Sequence, residues 1–333
     1  MTLHPAVAAV RRAIRDDVRR APGGAVLVAC SGGADSLALL AGTVFEARKR
    51  EWHVVGVTVD HGLQDDSADH AAHVVEQMVR LGVHETVSVR VNVVATDTGP
   101  EAAAREARYA VLAEVADRFG SSPVLLGHTR DDQAETVLMG LARGSGARSL
   151  SGMRRSFDRY RRPLLDITRA ETEAACVAEG IEFWTDPHNS DPRFLRSRVR
   201  HTVLPMLEAE LGPGIAATLA RTADQLRHDT YALDEMAARV LREVDEADED
   251  AEHHLVRTGW LETYPAAIIS RVLRTVALEA GCPPSELFAV HIDAMFDLVY
   301  GHGHHDRQVQ LPGKVTAYRD GSHLRFRPTA VAG

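Results

Sequence analysis

The chain is poor in thiols. Its 333 residues hold three cysteines, Cys30, Cys176 and Cys282, far apart and with no C-x-x-C pair. That excludes a disulfide framework and a cysteine zinc site. No stretch approaches the roughly 20 apolar residues of a membrane span. The N-terminus lacks the basic, apolar, small-residue order of a secretory leader, so a cytoplasmic location is expected. Lysine is nearly missing, with Lys49 and Lys314 standing alone among arginines. A basic surplus is missing too: net charge is −9 and the pI is near 6.0. That argues against nonspecific coating of nucleic acid. A local basic face stays open, because screening limits surface electrostatics to roughly 10 Å.

What is present is a soluble globular composition, 45% hydrophobic and 26% charged. The length predicts about two domains. Apolar residues at helical spacing open the chain, with Val7, Val10, Ile14 and Val18 on one face. Strand-like runs at 25–30, 53–59, 86–91 and 124–127 then alternate with helical stretches to 48 and over 66–81, 101–119 and 131–143. This alternation predicts an α/β fold, a doubly wound parallel sheet covered on both faces. After residue 150 the pattern becomes helical at 171–179, 194–211, 215–244, 266–278 and 285–298. Short strands follow at 308–311, 314–318 and 323–327, with turns at Pro312-Gly313 and Asp320-Gly321. Pro213-Gly214 sets the expected boundary between a catalytic domain, 1–212, and a smaller, mainly helical domain with terminal strands, 213–333.

The first strand empties into Ser31-Gly32-Gly33-Ala34-Asp35-Ser36, and a helix follows at once. N–H groups at a helix N-terminus, with glycines that let the backbone approach closely, make an anion site. The loop has no lysine, so it is not a Walker A loop, and it also fails G-x-G-x-x-G. Ligands of parallel sheets sit beyond the carboxyl ends of strands. That rule puts Asp60-His61 and the segment His128 to Asp132 on the same rim. Asp60 could orient adenine, ribose or a metal, or could simply cap a strand-end turn. Arg105 and Arg108 share a helix face, as a site or as surface ion-pair residues. Asp132 and Glu135 also share a face, where they could hold a cationic amine or Mg²⁺, or act as a helix cap and a solvated acid. Arginines concentrate at Arg143, Arg148, Arg154, Arg155, Arg159, Arg161 and Arg162, then at Arg193, Arg196, Arg198 and Arg200, against an acidic run from Glu243 to Glu252. Among the tryptophans, Trp184 beside the arginines is the best base-stacking candidate, although core packing is the commoner role. The run Gly301 to Asp306 has histidines but no standard zinc spacing.

SGGADS at 31–36, VDHGL at 59–63, AREARY at 104–109, GHTRDDQAET at 127–136, RGSGA at 143–147, RPLL at 162–165, WTDPHNS at 184–190 and RSRVR at 196–200 occur in this order. The set resembles the tRNA(Ile)-lysidine synthetases, PP-loop ATP pyrophosphatases, over about residues 26–205. Ser197 stands where that family usually has Asn. The resemblance implies adenylylation of the ring carbonyl oxygen of the wobble cytosine in a CAU anticodon. Lysine then displaces AMP through its ε-amine, and the product reads AUA. It implies ATP bound by Ser31, Gly32, Gly33, Ala34, Asp35, Ser36, Asp60 and His61, with Asp35 a Mg²⁺ ligand. It implies lysine held by Asp132, Glu135 and Arg105, and tRNA phosphates met by Arg108, Arg143, Arg148, Arg196, Arg198 and Arg200. His128, expected near neutral pKa, either contacts the adenylate or shuttles the amine proton. Asp35, His128, Asp132 and Arg105 are thus the expected catalytic set. The C-terminal part would recognise tRNA, and the oligomeric state is open between monomer and homodimer. The competing readings are a tRNA thiolase of the same superfamily, which needs reactive cysteines, and a non-catalytic ATP-binding module.

Overall fold

The computed structural model describes residues 3–19, 24–60, 62, 67–91, 100–121, 123–144, 146–185, 191–247, 255–300 and 308–329. They divide into two compact units, residues 1–139 with 152–221, and residues 140–151 with 222–333. The second unit therefore takes a short mid-chain segment as well as the C-terminal part.

The first unit is built on six strands: β1 (Ala25–Ala29), β2 (His53–Asp60), β3 (Glu85–Arg90), β4 (Val124–Leu125), β5 (Ser156–Phe157) and β6 (Tyr160–Arg161). Their order is β3-β2-β1-β4-β6-β5, all parallel except the β5–β6 pair. Central β1 pairs Leu27 with Val124 on one side and Val26 with Val54 on the other. Val26, Leu27 and Val28 are fully buried, as a strand covered on both faces requires. Val26 and Val28 pack with α1 (Pro5–Val18), α2 (Ala34–Ala47) and α7 (Arg169–Ala178). Leu27 turns the other way, into a cluster with Val111, Leu112 and Val115 of α4 (Pro100–Arg118). The remaining helices of this unit are α3 (Ser67–Leu81), most of α5 (Arg130–Ala142), α8 (Leu195–Arg198) and α9 (Leu204–Leu211). The order reverses between β1 and β4, and this switch point opens a crevice at their carboxyl ends.

The second unit contains α6 (Gly146–Leu150), most of α10 (Ile215–Ala247), α11 (Thr258–Leu261), α12 (Ala266–Glu279) and α13 (Ala289–Tyr300). A four-stranded antiparallel sheet of β7 (Leu255–Arg257), β8 (Gln308–Leu311), β9 (Val315–Asp320) and β10 (His323–Pro328) has the order β7-β10-β9-β8. Its core joins Ile269, Val272 and Leu273 of α12 to Met295, Ala317 and Leu324. No helix among the described residues is long and apolar enough to cross a membrane.

Two expectations shift, and three short strands are additional. The helix expected from 194 to 211 is interrupted by a π turn, Val199–Val203, between α8 and α9. The helix expected from 285 starts at Ala289, because Pro283 accepts the N–H groups of Glu286 and Leu287 in a preceding turn. The β5–β6 hairpin and β7 are too short to show a period of two.

Candidate active site

Two short connections meet at the switch point. Cys30 ends the first strand, its N–H donating to Val57 O at 2.8 Å. The chain then turns through Ser31-Gly32 into α2, with Gly33 as N-cap and no side chain capping it. Ser36 braces this loop from inside, donating from Oγ to Gly33 O at 2.9 Å and accepting Ser31 N–H at 3.1 Å. The first N–H groups of α2 have no intrahelical acceptor and form the positive end of the helix dipole. Beyond β4, Gly127 passes so close that a Cβ would sit 3.1 Å from the Ser36 backbone. Glycine at 127 lets the His128 segment lie against the loop.

A cavity of about 480 Å³ opens here, lined by Ser31, Gly33, Asp35, Ser36, Gly127, His128, Arg108, Arg169, Arg200 and Trp184 among others. This volume lies in the range of small-molecule and cofactor sites.

One wall is a network of buried charge. Glu135 is fully buried and Asp132 nearly so. Arg196 donates from Nε to Glu135 at 2.8 Å and from Nη2 to Asp132 at 3.0 Å. Arg200 donates to Glu135 at 2.7 Å and to Asp132 at 3.2 Å. Arg169 reaches Asp132 at 3.2 Å and Glu135 at 3.5 Å. The remaining Asp132 oxygen accepts the Thr129 N–H at 2.8 Å, as a helix cap does. Burial acts to raise the Asp132 carboxyl, and Arg196, Arg169 and that N–H outweigh it, holding it below the usual carboxylate range. The acids expected to face an ammonium stand against Arg196, Arg200 and Arg169. Carboxylates this deeply buried need counter-charge, and guanidinium groups of the chain already supply it.

Asp35 faces the cavity from the first turn of α2. Thr172 donates its hydroxyl to Oδ1, and Arg169 Nε lies 3.6 Å from Oδ2. Burial dominates here and lifts its pKa to about 6, against the pull of Thr172 and Arg169. The geometry fits Mg²⁺ in one mode only. Mg²⁺ uses one or two carboxylates with substrate phosphates and waters, and Asp35 supplies one. Among the described residues no cluster of three acidic, His or Cys side chains could hold a metal ion by itself.

His128 is corrected in its chemistry. Burial, reinforced by Arg162, Arg108 and Arg196 against Asp132, pushes its pKa well below neutral. Arg162 Nε donates to its Nδ1 at 3.2 Å, so the neutral ring carries its proton on Nε2. In that tautomer it can donate a hydrogen bond from Nε2.

The structure places two neighbouring arginines differently. Arg105 is exposed, 5.0 Å over the Tyr109 ring, and does not line the cavity. Arg108 does line it, with a buried Nε lacking a hydrogen-bond partner among the described residues. Asp60 accepts the Gly62 N–H at 2.8 Å and lies 3.7 Å from Arg90, the strand-end turn rather than a cavity wall. His61 and the run from 301 to 306 lie outside the described residues. Trp184 packs on His70 with ring centroids 4.0 Å apart. Arg198 is exposed and donates to the carbonyls of Pro192 and Arg193. Arg143 is exposed, and Arg148 pairs with Asp234 at 3.0 Å in the second unit. Ser197 is buried in α8, where a longer amide would need room.

Sequence reasoning missed Arg169 and Thr172. Thr168 and Glu171 form a reciprocal capping box at the start of α7. That TxxE signature just before an apolar run was readable, and it fixes Arg169 as the first helical residue. Asp131 also accepts the Arg169 N–H at 2.8 Å.

A lysine-free phosphate loop at the switch point of a parallel sheet defines a PP-loop protein, and residues 7–207 match the PP-loop domain family. The fold is shared with the U34-tRNA thiolase NcsA of Methanococcus maripaludis, described with its [4Fe-4S] cluster, at a TM-score of 0.55 and 20% identity, over 67% of this chain and 80% of that one. Two much nearer relatives are tRNA(Ile)-lysidine synthases. That of Thermobifida fusca is 50% identical over 93% of this chain and 94% of its own length. That of Streptomyces coelicolor is 46% identical over 97% of this chain and 99% of its own. The chain belongs to the tRNA(Ile)-lysidine synthase family and is an ATP-dependent ligase.

Proposed function

We propose that the chain joins lysine to the wobble cytosine of the CAU anticodon of tRNA(Ile), changing its reading from AUG to AUA. The observation that carries this is the single cavity onto which both the N-terminus of α2 and the arginine network open. In the first step the ring carbonyl oxygen of the cytosine attacks the α-phosphorus of ATP. An O–P bond forms, the bond to the β-phosphate oxygen breaks, and pyrophosphate leaves with that electron pair. The orphan N–H groups of Gly33, Ala34 and Asp35 and the hydroxyls of Ser31 and Ser36 hold phosphate oxygens. Arg108, which has no carboxylate partner among the described residues, adds a cation where charge builds up. Mg²⁺, when bound at Asp35, neutralises phosphate charge.

In the second step the neutral ε-amine of lysine attacks the activated ring carbon. A C–N bond forms, the C–O bond to AMP breaks, and the amine gives up a proton to water. Arg108, Arg169 and Arg200 line the cavity with Asp35 and Glu173, and cations beside the amine disfavour an ammonium and favour the reactive neutral form. In this reading Asp132 and Glu135 hold the arginines in place, the arginines receive the lysine carboxylate and phosphate oxygens, and His128 donates from Nε2 to a ligand oxygen. Residues 213–333 are the tRNA-recognition domain, and exposed arginines such as Arg143 and Arg198 meet backbone phosphates.

Thiolation finds little support. The three cysteines are free and buried, and Cys282 belongs to the core of the second unit. The test is one assay with ATP, lysine and a CAU-anticodon transcript. AMP, pyrophosphate and a wobble cytosine heavier by one lysyl group are expected. ADP as the nucleotide product, or a transcript unchanged in mass, overturns the proposal.

A further inference from the structure

A phosphate cradle built from peptide groups works only if its N–H groups face the ligand, and each peptide that points inward with its carbonyl instead repels phosphate. The carbonyls of Ser31, Gly32 and Gly33 all have partners that pull them away. Gly33 O accepts Leu37 N–H at 3.0 Å within the helix start. The other two are held by residues remote in sequence. Ser31 O lies 3.0 Å from Nε2 of His70 on α3. A carbonyl only accepts, so that nitrogen carries the proton and donates. Gly32 O accepts the Trp184 N–H at 3.0 Å. The two holders also touch each other, with the His70 and Trp184 rings 4.0 Å apart. Gly32 sits at φ +82°, and a Cβ there would meet Val74 Cγ2 at 2.6 Å and His70 Cε1 at 3.0 Å. The loop is therefore pressed against α3 on its outer side.

We infer that His70 and Trp184 form an external clamp that sets the peptide planes of the ATP loop, with His70 a positioning residue for the triphosphate. The inference rests on reading Ser31 to Ser36 as the phosphate site. Trp184 contributes a main-chain donor, and its indole fixes the plane of the His70 imidazole. Neither side chain needs to touch ATP. A clamp of this kind acts on nucleotide affinity and leaves the lysine side of the reaction alone.

The test separates the donor from the ring. His70→Phe keeps a ring against Trp184 and loses the donor, His70→Gln keeps an N–H donor and loses the ring, and His70→Ala loses both. Full-length variants are assayed for AMP release with ATP and lysine varied in turn. The His70→Phe and His70→Ala enzymes should show an ATP KM raised about tenfold, the scale of one positioned hydrogen bond. Their kcat and lysine KM should stay within about twofold, and His70→Gln should lie near the parent. A purely structural role would instead lower kcat with the folded fraction and leave the ATP KM alone. Equal effects of Phe and Gln, an unchanged ATP KM in the Phe variant, or an equal rise in lysine KM overturns the clamp. Gly33→Val is the control for the loop itself. Gly33 has ordinary φ, and its Cβ direction is clear to 3.8 Å, so the added bulk obstructs ligand rather than backbone. An ATP KM unmoved by Gly33→Val would remove the phosphate-site reading, whereas a raised one beside an unmoved His70→Phe removes only the clamp.

Discussion

Arg169 Nε lies 3.6 Å from Asp35 Oδ2, and the rest of the same guanidinium spans to Asp132 and Glu135. One side chain thus ties the acid of the ATP loop to the acid pair of α5. Arg169→Met should lower lysine- and tRNA-dependent AMP release about 10- to 100-fold, the scale of charge-assisted contacts. Arg169→Lys should rescue little, because one ammonium cannot bridge three carboxylates as a planar fork does. Steady-state kinetics of both variants check this, and full activity with lysine at 169 would refute the bridging role.

Asp35 makes the ligand-free enzyme pH-sensitive. Its folded pKa of about 6 lies above the ordinary 3.8. The folded state therefore holds that proton more tightly than the unfolded state, and this contribution to stability is full below pH 4 and lost as pH rises through 6. Asp35→Asn should stabilise the ligand-free protein above pH 6 by up to about 3 kcal/mol, from about 2 pH units at 1.36 kcal/mol each, with no gain at pH 4. Denaturant titrations across pH 4–8 measure the difference. A gain that persists unchanged at pH 4 would contradict the burial account. Turnover of the parent enzyme should also fall below pH 6 as the carboxyl protonates.

Glu135 is fully buried against three arginines, Arg196, Arg200 and Arg169. Glu135→Leu leaves guanidinium groups uncompensated and should cost roughly 3–5 kcal/mol. Glu135→Gln, which keeps one acceptor, should cost less. Equilibrium unfolding of the pair gives the answer, and equal stability of the Leu variant and the parent would show that the network relaxes without its acid.

Arg198 lies on the outer side of α8, whereas Arg196 is turned into the network. Arg198→Ala should weaken tRNA binding and reduce the slope of log affinity against log salt by about one, leaving ATP KM unchanged. Arg196→Ala should impair turnover even at saturating tRNA. Binding isotherms at several salt concentrations, run beside kinetics, distinguish the two. An identical salt slope for Arg198→Ala would remove it from the phosphate contacts.

The sheet and its rim were legible in the sequence because parallel strands buried on both faces read as continuous apolar runs, and Ala25 to Cys30 is such a run. The loop followed from its glycines and its place before a helix. The partners of charged side chains were not legible. Periodicity puts Asp132 and Glu135 on one face, and says nothing of three arginines arriving from 37 to 68 positions downstream. The same holds for Arg105 and Arg108. Three residues apart, they point about 60° from each other on a helix, enough to send one to solvent and one into the cavity. The lowered pKa of His128 was not legible either, because it depends on burial and neighbouring cations, which only the assembled site contains.

The π turn at Val199–Val203 accommodates one residue more than an α turn would. It follows Arg196 and contains Arg200, so the surplus residue is absorbed where the arginine segment passes into α9. A turn that holds one residue too many can close as an α turn when one is removed. Deleting Thr202 should therefore leave α9 in phase with Leu204 still buried, and disturb only the turn, Arg200 included. The deletion should keep near-parental unfolding and lose turnover, whereas alanine at 202 should keep both; a deletion that unfolds the protein would show that the phase of α9 is set elsewhere.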